Sequence, residues 1–197
     1  MPPRETYVEH ILTDLNPRTL ATAIEQNLYD VFRAYARNRI RHFEPDVSWV
    51  ITTPAPWPSY VYDARFAPET VDQRLRKVME HMRAGSAPAC WIIGPSTQPQ
   101  DLGRRLEALG LRRTGEALGM AVELDRLREH PMPPGLEIVR VQDTATLRQW
   151  ATTGMFASSD ADAQAFFDLV AGLDLPEGSG FYLGLYEGQP VATSALW

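Results

Sequence analysis

The chain has 197 residues, of which 44% are hydrophobic and 22% charged, with a formal net charge of −6. That composition allows a sizeable buried core and excludes disorder by composition. With arginines scattered among the acids, the acidic balance speaks against a nucleic-acid footprint and against an anionic membrane surface.

The helix start comes first in the chain. Asn16 supplies a capping side chain and Pro17 tolerates the first turn. Behind them Leu20, Ile24, Leu28, Val31, Phe32, Tyr35 and Ile40 recur at three- and four-residue spacing, which predicts one long amphipathic helix or two in succession. "VSWVIT" (47–52) and "YVYDARF" (60–66) are rich in β-branched and aromatic residues and read as strands. The prolines of "TPAPWPS" between them forbid a strand there. Pro68 then opens a helix carrying Val71, Leu75, Val78, Met79 and Met82 on one face. A strand over about 89–93 follows, then a helix with Leu102, Leu106 and Leu109 that stops at Gly110. "GMAVEL" (119–124) reads as another strand.

"REHPMPPG" (128–135) is the clearest boundary, because its three prolines and one glycine stop both helix and strand pairing. Beyond it lie a strand "LEIVRV" (136–141), a helix capped by Asp143 with Leu147, Trp150 and Ala151, and a helix from about Asp160 with Ala163, Phe166, Phe167 and Val170. "FYLGLY" and "VATSALW" are paired strands joined at "EGQP", where Glu187-Gly188 supplies the turn chemistry. This alternation predicts an α/β or α+β fold with a mixed sheet. Residues 1–127 form the first domain, 128–135 a linker, and 136–197 the start of a second domain ending after its third strand.

Candidate chemistry is sparse. "GPSTQPQD" (94–101), between a strand and a helix, sits where many proteins cradle phosphate. Its single glycine and two prolines leave too few donors, so Ser96 or Thr97 reads as a cap on the following helix, with Pro99 in its first turn. His10, His42, His81 and His130 show no metal-ligand spacing, and His81 beside Met79 and Met82 reads as an edge or surface residue. Asp160 and Asp162 next to Ser159 read as an acidic helix start rather than a metal site. Cys90, the lone cysteine, lies in the apolar run "ACWII" and is expected as core packing in a reducing compartment; it has no histidine partner in view. Thr193 and Ser194 lack the sharp elbow of a serine hydrolase. "MPPRETYVEH" carries no signal-peptide pattern and no apolar run approaches spanning length, so a soluble, cytoplasmic protein is expected.

Four stretches taken in order carry a family resemblance: "WIIGPSTQPQDLG" (91–103), "RRLEALGLRRTGEALGMAVEL" (104–124), "PGLEIVRVQDTATLRQW" (134–150) and "FYLGLYEGQPVATSALW" (181–197). Together they resemble the GNAT superfamily of N-acetyltransferases, specifically members built from two tandem acetyltransferase-like domains. The resemblance implies a mixed, mostly antiparallel sheet flanked by helices, followed by a partial second copy. It also implies acetyl transfer from acetyl-CoA to an amine of a small molecule or protein, without a metal. In that family a loop of the type Q/R-x-x-G-x-G/A leads from the fourth strand into a helix and holds the cofactor's diphosphate, and a splayed strand pair admits the pantetheine arm.

Against that pattern, "APETV" (67–71) has no glycine, Pro68 has no N–H, and Glu69 brings a carboxylate to where the diphosphate belongs. The first domain therefore reads as degenerate. The second, as far as residue 197, does not reach a phosphate loop or a general acid or base. The expectation is a fragment of an acetyltransferase that neither binds acetyl-CoA nor acetylates amines by itself. By the same resemblance the helix junction "GMFASSDADAQAFF" (154–167) overhangs the acceptor, and Met155, Phe156 and Phe167 either line that pocket or serve as ordinary packing. The alternative function is an inactive pseudo-acetyltransferase that binds or dimerises, self-associating through the 190–197 edge strand, whose apolar end at Trp197 needs cover.

Overall fold

Asn16 starts the first helix as its sequence predicts. The computed structural model describes residues 12–35, 40–51, 59–84, 89–154, 159–173, 175 and 178–197. In it the Asn16 Oδ1 accepts from the N–H groups of Arg18 (2.9 Å) and Thr19 (3.0 Å), and α1 runs Pro17–Tyr35. Glu25, Tyr29 and Phe32 are its buried residues, a four-then-three spacing that lines them up along one face.

Ile40, expected on that helix, opens a strand instead. β1 (Ile40–Glu44) pairs antiparallel with β2 (Val47–Ile51), from Ile40 opposite Ile51 to Glu44 opposite Val47. Pro45 and Asp46 form the two-residue turn between them, and a residue before proline is pushed out of helical geometry. β3 (Ser59–Tyr62) adds antiparallel to β2. The chain then crosses over through α2 (Val71–Ala84) and returns as β4 (Ala89–Trp91), parallel to β3.

Side chains alternate across this four-stranded sheet and build a layer on each face. Val47, Trp49, Ile51 and Val61 meet Val71, Leu75, Val78 and Met82 of α2, together with Leu102 and Leu106 of α3 (Leu102–Ala108). On the opposite face Tyr60 and Tyr62 meet α1: Phe32 stacks on Tyr60 with centroids 4.5 Å apart, and Tyr29 tilts against Tyr62 at 5.2 Å.

A charged clamp ties the β1–β2 turn to α2. Arg74 reaches Asp46 through Nε (2.7 Å) and Nη2 (2.6 Å), and its Nη2 also meets a Glu44 oxygen at 2.5 Å. These bonds, aided by Lys77, hold the Glu44 carboxyl below its ordinary value of 4.5. A depressed carboxyl contributes stability above its unfolded pKa, which is lost as pH falls through the folded value. Arg74→Met is therefore expected to cost about 1–2 kcal/mol at neutral pH. The gap between variant and wild type should close as urea midpoints are remeasured below pH 4.5; a gap that stays constant with pH would contradict the clamp.

Gly110 ends α3 as expected, with φ at +90° in the left-handed region that favours glycine. The strand expected over 119–124 does not form. Residues 111–123 run without regular structure into a single 3-10 turn, Leu124–Arg126. Leu118 (85% exposed) and Met120 (81%) stand in solvent because no strand among the described residues pairs with them.

After the proline-rich stretch, β5 (Leu136–Arg140), β6 (Gly180–Tyr186) and β7 (Gln189–Leu196) form an antiparallel sheet in that order. Glu187 (φ 50°) and Gly188 (φ 78°) make the β6–β7 turn that the sequence predicts. α4 (Thr144–Thr153) starts at Asp143, whose Oδ1 accepts from the Thr146 N–H at 2.8 Å, and α5 (Asp160–Ala171) starts at Ser159, whose Oγ accepts from the Asp162 N–H at 3.1 Å. Both helices cover one face of the sheet around Trp150, Phe166, Phe181 and Leu183. Trp197, expected at an exposed end, turns back into this core and meets Tyr35 of α1 edge-on at 5.3 Å.

Candidate functional site

The resemblance points to the place where an antiparallel strand hands over to a parallel one, and here that is the end of β3. Main-chain bonds bracket a split between the two strands: the Ile92 N–H donates to the Val61 carbonyl and the Gln98 N–H to the Ala64 carbonyl, each at 2.9 Å. Three residue steps on the β3 side face six on the other, so residues 93–97 must bow away. Thr97 closes the bow into a tight loop, its Oγ1 accepting from the Gly94 N–H at 2.9 Å and its own N–H donating to the Gly94 carbonyl at 3.1 Å.

Thr97 is thus a loop staple, not the helix cap its sequence position suggests. The helix starts later, at Leu102, with Asp101 before it making no side-chain cap bond. The reason is local: the Thr97 hydroxyl is taken by the Gly94 N–H, and a turn in which the Leu102 N–H donates to the Pro99 carbonyl at 2.9 Å intervenes before the helix. Ser96 does not cap the helix either; its N–H donates to Glu25.

Into the split, from the α1 side, come Glu25 and Tyr29. Glu25 is 6% exposed and Tyr29 fully buried. The Tyr29 hydroxyl donates to Glu25 Oε1 at 2.9 Å and accepts from the Asp63 N–H, and the Ser96 N–H makes a longer contact of 3.3 Å to the same carboxylate oxygen. Burial, then the bond to Glu25, pushes the Tyr29 hydroxyl pKa up, so it stays a donor at neutral pH. Glu25 Oε2 and Ser96 Oγ are both shielded from solvent and have no hydrogen-bond partner among the described residues. Asp63, at φ 53°, holds the left-handed kink that turns the chain out of β3.

The loop from Asp63 to Thr70, which leads into α2, occupies the position of a phosphate cradle. Four of its N–H groups are already engaged: Asp63 with Tyr29, Arg65 with the Asp46 carbonyl (2.7 Å), Phe66 with the Gln98 carbonyl (3.0 Å) and Thr70 with the Ala67 carbonyl (3.1 Å). Pro68 has none to give. An anion site needs convergent free N–H groups, and these four point elsewhere. With these donors engaged, Pro68 lacking one and the Glu69 carboxylate beside them, the loop does not fit a diphosphate.

The other sequence candidates separate in space. Phe167 is 9% exposed within the second core, and the Arg148 guanidinium lies over its ring at 4.1 Å. Met155 and Phe156 fall outside the described residues, as does His10. Cys90 on β4 is half-buried, and burial pushes its thiol pKa up, away from the reactive thiolate. His81 is exposed, its Nδ1 at 2.8 Å from the Lys77 carbonyl, and it leans toward Trp49, on which His42 stacks. Among the described residues no group of three or more His, Cys, Asp or Glu could hold a metal, and no helix is long and apolar enough to cross a membrane. Ser194 pairs with Tyr182 across β6 and β7, and its carbonyl accepts from Trp150 Nε1 at 3.1 Å.

Sequence reading passed over Glu25, Tyr29 and Gly94. One signal was present: at position 25 a glutamate stands among the apolar residues of α1's inner face, and a charge there is out of place unless something receives it.

No protein-family model matches the chain, and no curated protein matches it. Among solved structures it is similar to a GCN5-related N-acetyltransferase from Kribbella flavida, with a TM-score of 0.59 and 18% identity. That similarity covers 87% of this chain and 66% of the other, so the chain spans just under two thirds of that structure. The fold is GNAT-like: a mixed α/β architecture with five α-helices and two sheets among the described residues.

Proposed function

We propose that the chain is part of an N-acetyltransferase of the GNAT type, in which acetyl-CoA delivers its acetyl group to an amine of a small molecule or a protein. The observation that supports this reading is the sheet itself, three antiparallel strands followed by a helical crossover to a parallel fourth, in a chain whose fold follows a GCN5-related N-acetyltransferase. In such a transfer the neutral amine attacks the thioester carbon, the carbon–sulfur bond breaks, and the departing sulfur takes a proton as the nitrogen loses one. The amine lone pair must be free, so the acceptor site has to favour the deprotonated form.

In this reading residues 1–127 serve as a scaffold, and the sheet of β5, β6 and β7 is the start of the unit that holds acetyl-CoA. Of the three acceptor candidates, Phe167 is the one among the described residues, and in this reading it backs the acceptor site from the core. The acidic net charge favours encounter with cationic acceptors such as polyamines. Calorimetric titration of this 197-residue chain with acetyl-CoA should give no isotherm. Thiol release with polyamine, aminoglycoside and peptide acceptors should stay at background. A clear isotherm, or turnover, would defeat the claim that this chain is inactive alone.

A second reading, a binding or dimerisation module, is favoured by β7. Its eight residues, "QPVATSAL", carry no charge, and among the described strands only β6 pairs with it. Natural edge strands are usually protected by charge. Light scattering of the same sample at high concentration should show a dimer if β7 pairs across a two-fold axis, and monomer alone would count against it.

A further inference from the structure

We infer that the split between β3 and β4 is closed from within by Glu25 and Tyr29 of α1, so that the pantetheine arm of coenzyme A does not enter it. The inference rests on the acetyltransferase reading of the fold, and it goes further by naming what fills the slot and which residue makes room for the filling.

Gly94 is that residue. A Cβ built on it would lie 2.0 Å from Glu25 Oε1 and 2.9 Å from Glu25 Cδ, well inside contact distance. Its φ is outside the left-handed region, so dihedral freedom does not demand a glycine at this position. Close approach does. The carboxylate therefore sits against bare main chain, where an extended ligand would otherwise run between the strands. Tyr29 reinforces it from below, bonded to Glu25 on one side and to the Asp63 main chain on the other. The two strand edges that flank the split are thereby tied to α1, one through Asp63 and the other through Ser96.

The closure carries a tension that makes it testable. Glu25 Oε2 has no partner among the described residues, and burying an unsatisfied oxygen is costly. The carboxylate is held in place by the fit around Oε1, and it should couple strongly to Gly94. In melts of the full chain, Gly94→Ala is expected to lower the melting temperature by roughly 5 °C or more. Adding Glu25→Ala to that variant should recover most of the loss, because the clash disappears with the carboxylate. Losses that simply add would show that Glu25 does not stand against Gly94, and would overturn the inference.

Hydrogen exchange with millimolar coenzyme A tests the exclusion directly. Amides of residues 59–66 and 92–98 are expected to exchange at the same rate with and without it. Protection of those amides would overturn the inference. Acetyl-CoA binding or turnover with these amides unprotected would defeat the inactivity claim above and leave the closed split standing.

Discussion

Trp150→Ala is expected to destabilise the second half of the chain by about 3–5 kcal/mol, near the upper end for a single core truncation. Trp150 is 5% exposed and sits at the centre of its core, 4.3 Å from the Phe181 ring and 5.4 Å from Phe166. It is enclosed by Phe166 and Phe181, with Tyr35 and Trp197 also packed on the cluster, so its loss leaves a cavity in the middle of that core. Its Nε1 also donates to the Ser194 carbonyl, which fixes α4 against β7. Trp150→Phe separates the two contributions. It keeps an aromatic ring and loses the bond together with the second ring of the indole, and because Ser194 is exposed its carbonyl can turn to water. That variant should lose about 1–2 kcal/mol, well short of the alanine variant. Urea unfolding followed by circular dichroism distinguishes them, and a loss under 1 kcal/mol for the alanine variant would mean that this core is not formed in solution.

The same packing explains why the second half was readable. Asp143, Ser159 and Glu187-Gly188 act within four residues of where they stand, as caps and a turn, so their local chemistry decides the outcome. The face of α2 was readable for a related reason: the four-stranded sheet receives Val71, Leu75, Val78 and Met82, and the spacing of apolar residues reports that burial. Three features were not legible. β1 was hidden because Ile40 happens to continue the helical spacing of α1, while the decisive information lies in the Pro45-Asp46 turn. The strand expected at "GMAVEL" was misjudged because alternation describes a side-chain pattern, whereas a strand also needs a neighbour to bond with. The Glu25–Gly94 contact joins residues nearly seventy positions apart. Neither residue is unusual until the other is beside it, so no local pattern could have paired them.

The two leucines at 75 and 118 turn that distinction into a measurement. Both belong to apolar patterns in the sequence, one at helical spacing and one in alternation with Met120 and Val122. Leu75 is 1% exposed, lodged between α2 and the sheet with Trp49 and Val61 in the same cluster. Leu75→Ala should therefore cost about 3–5 kcal/mol, the transfer of its side chain plus the cavity left in a core closed on both sides. Leu118 is 85% exposed and has no apolar surface to leave. Leu118→Ser should change stability by no more than about 0.5 kcal/mol, while lowering the tendency of the chain to associate. Paired denaturation curves on the same preparation decide the matter. A loss above about 1.5 kcal/mol at Leu118 would mean that residues 118–124 are buried in solution. The alternation in "GMAVEL" would then report a real strand, formed with a neighbour outside this arrangement, and the open edge of β7 would be the first place to look for it.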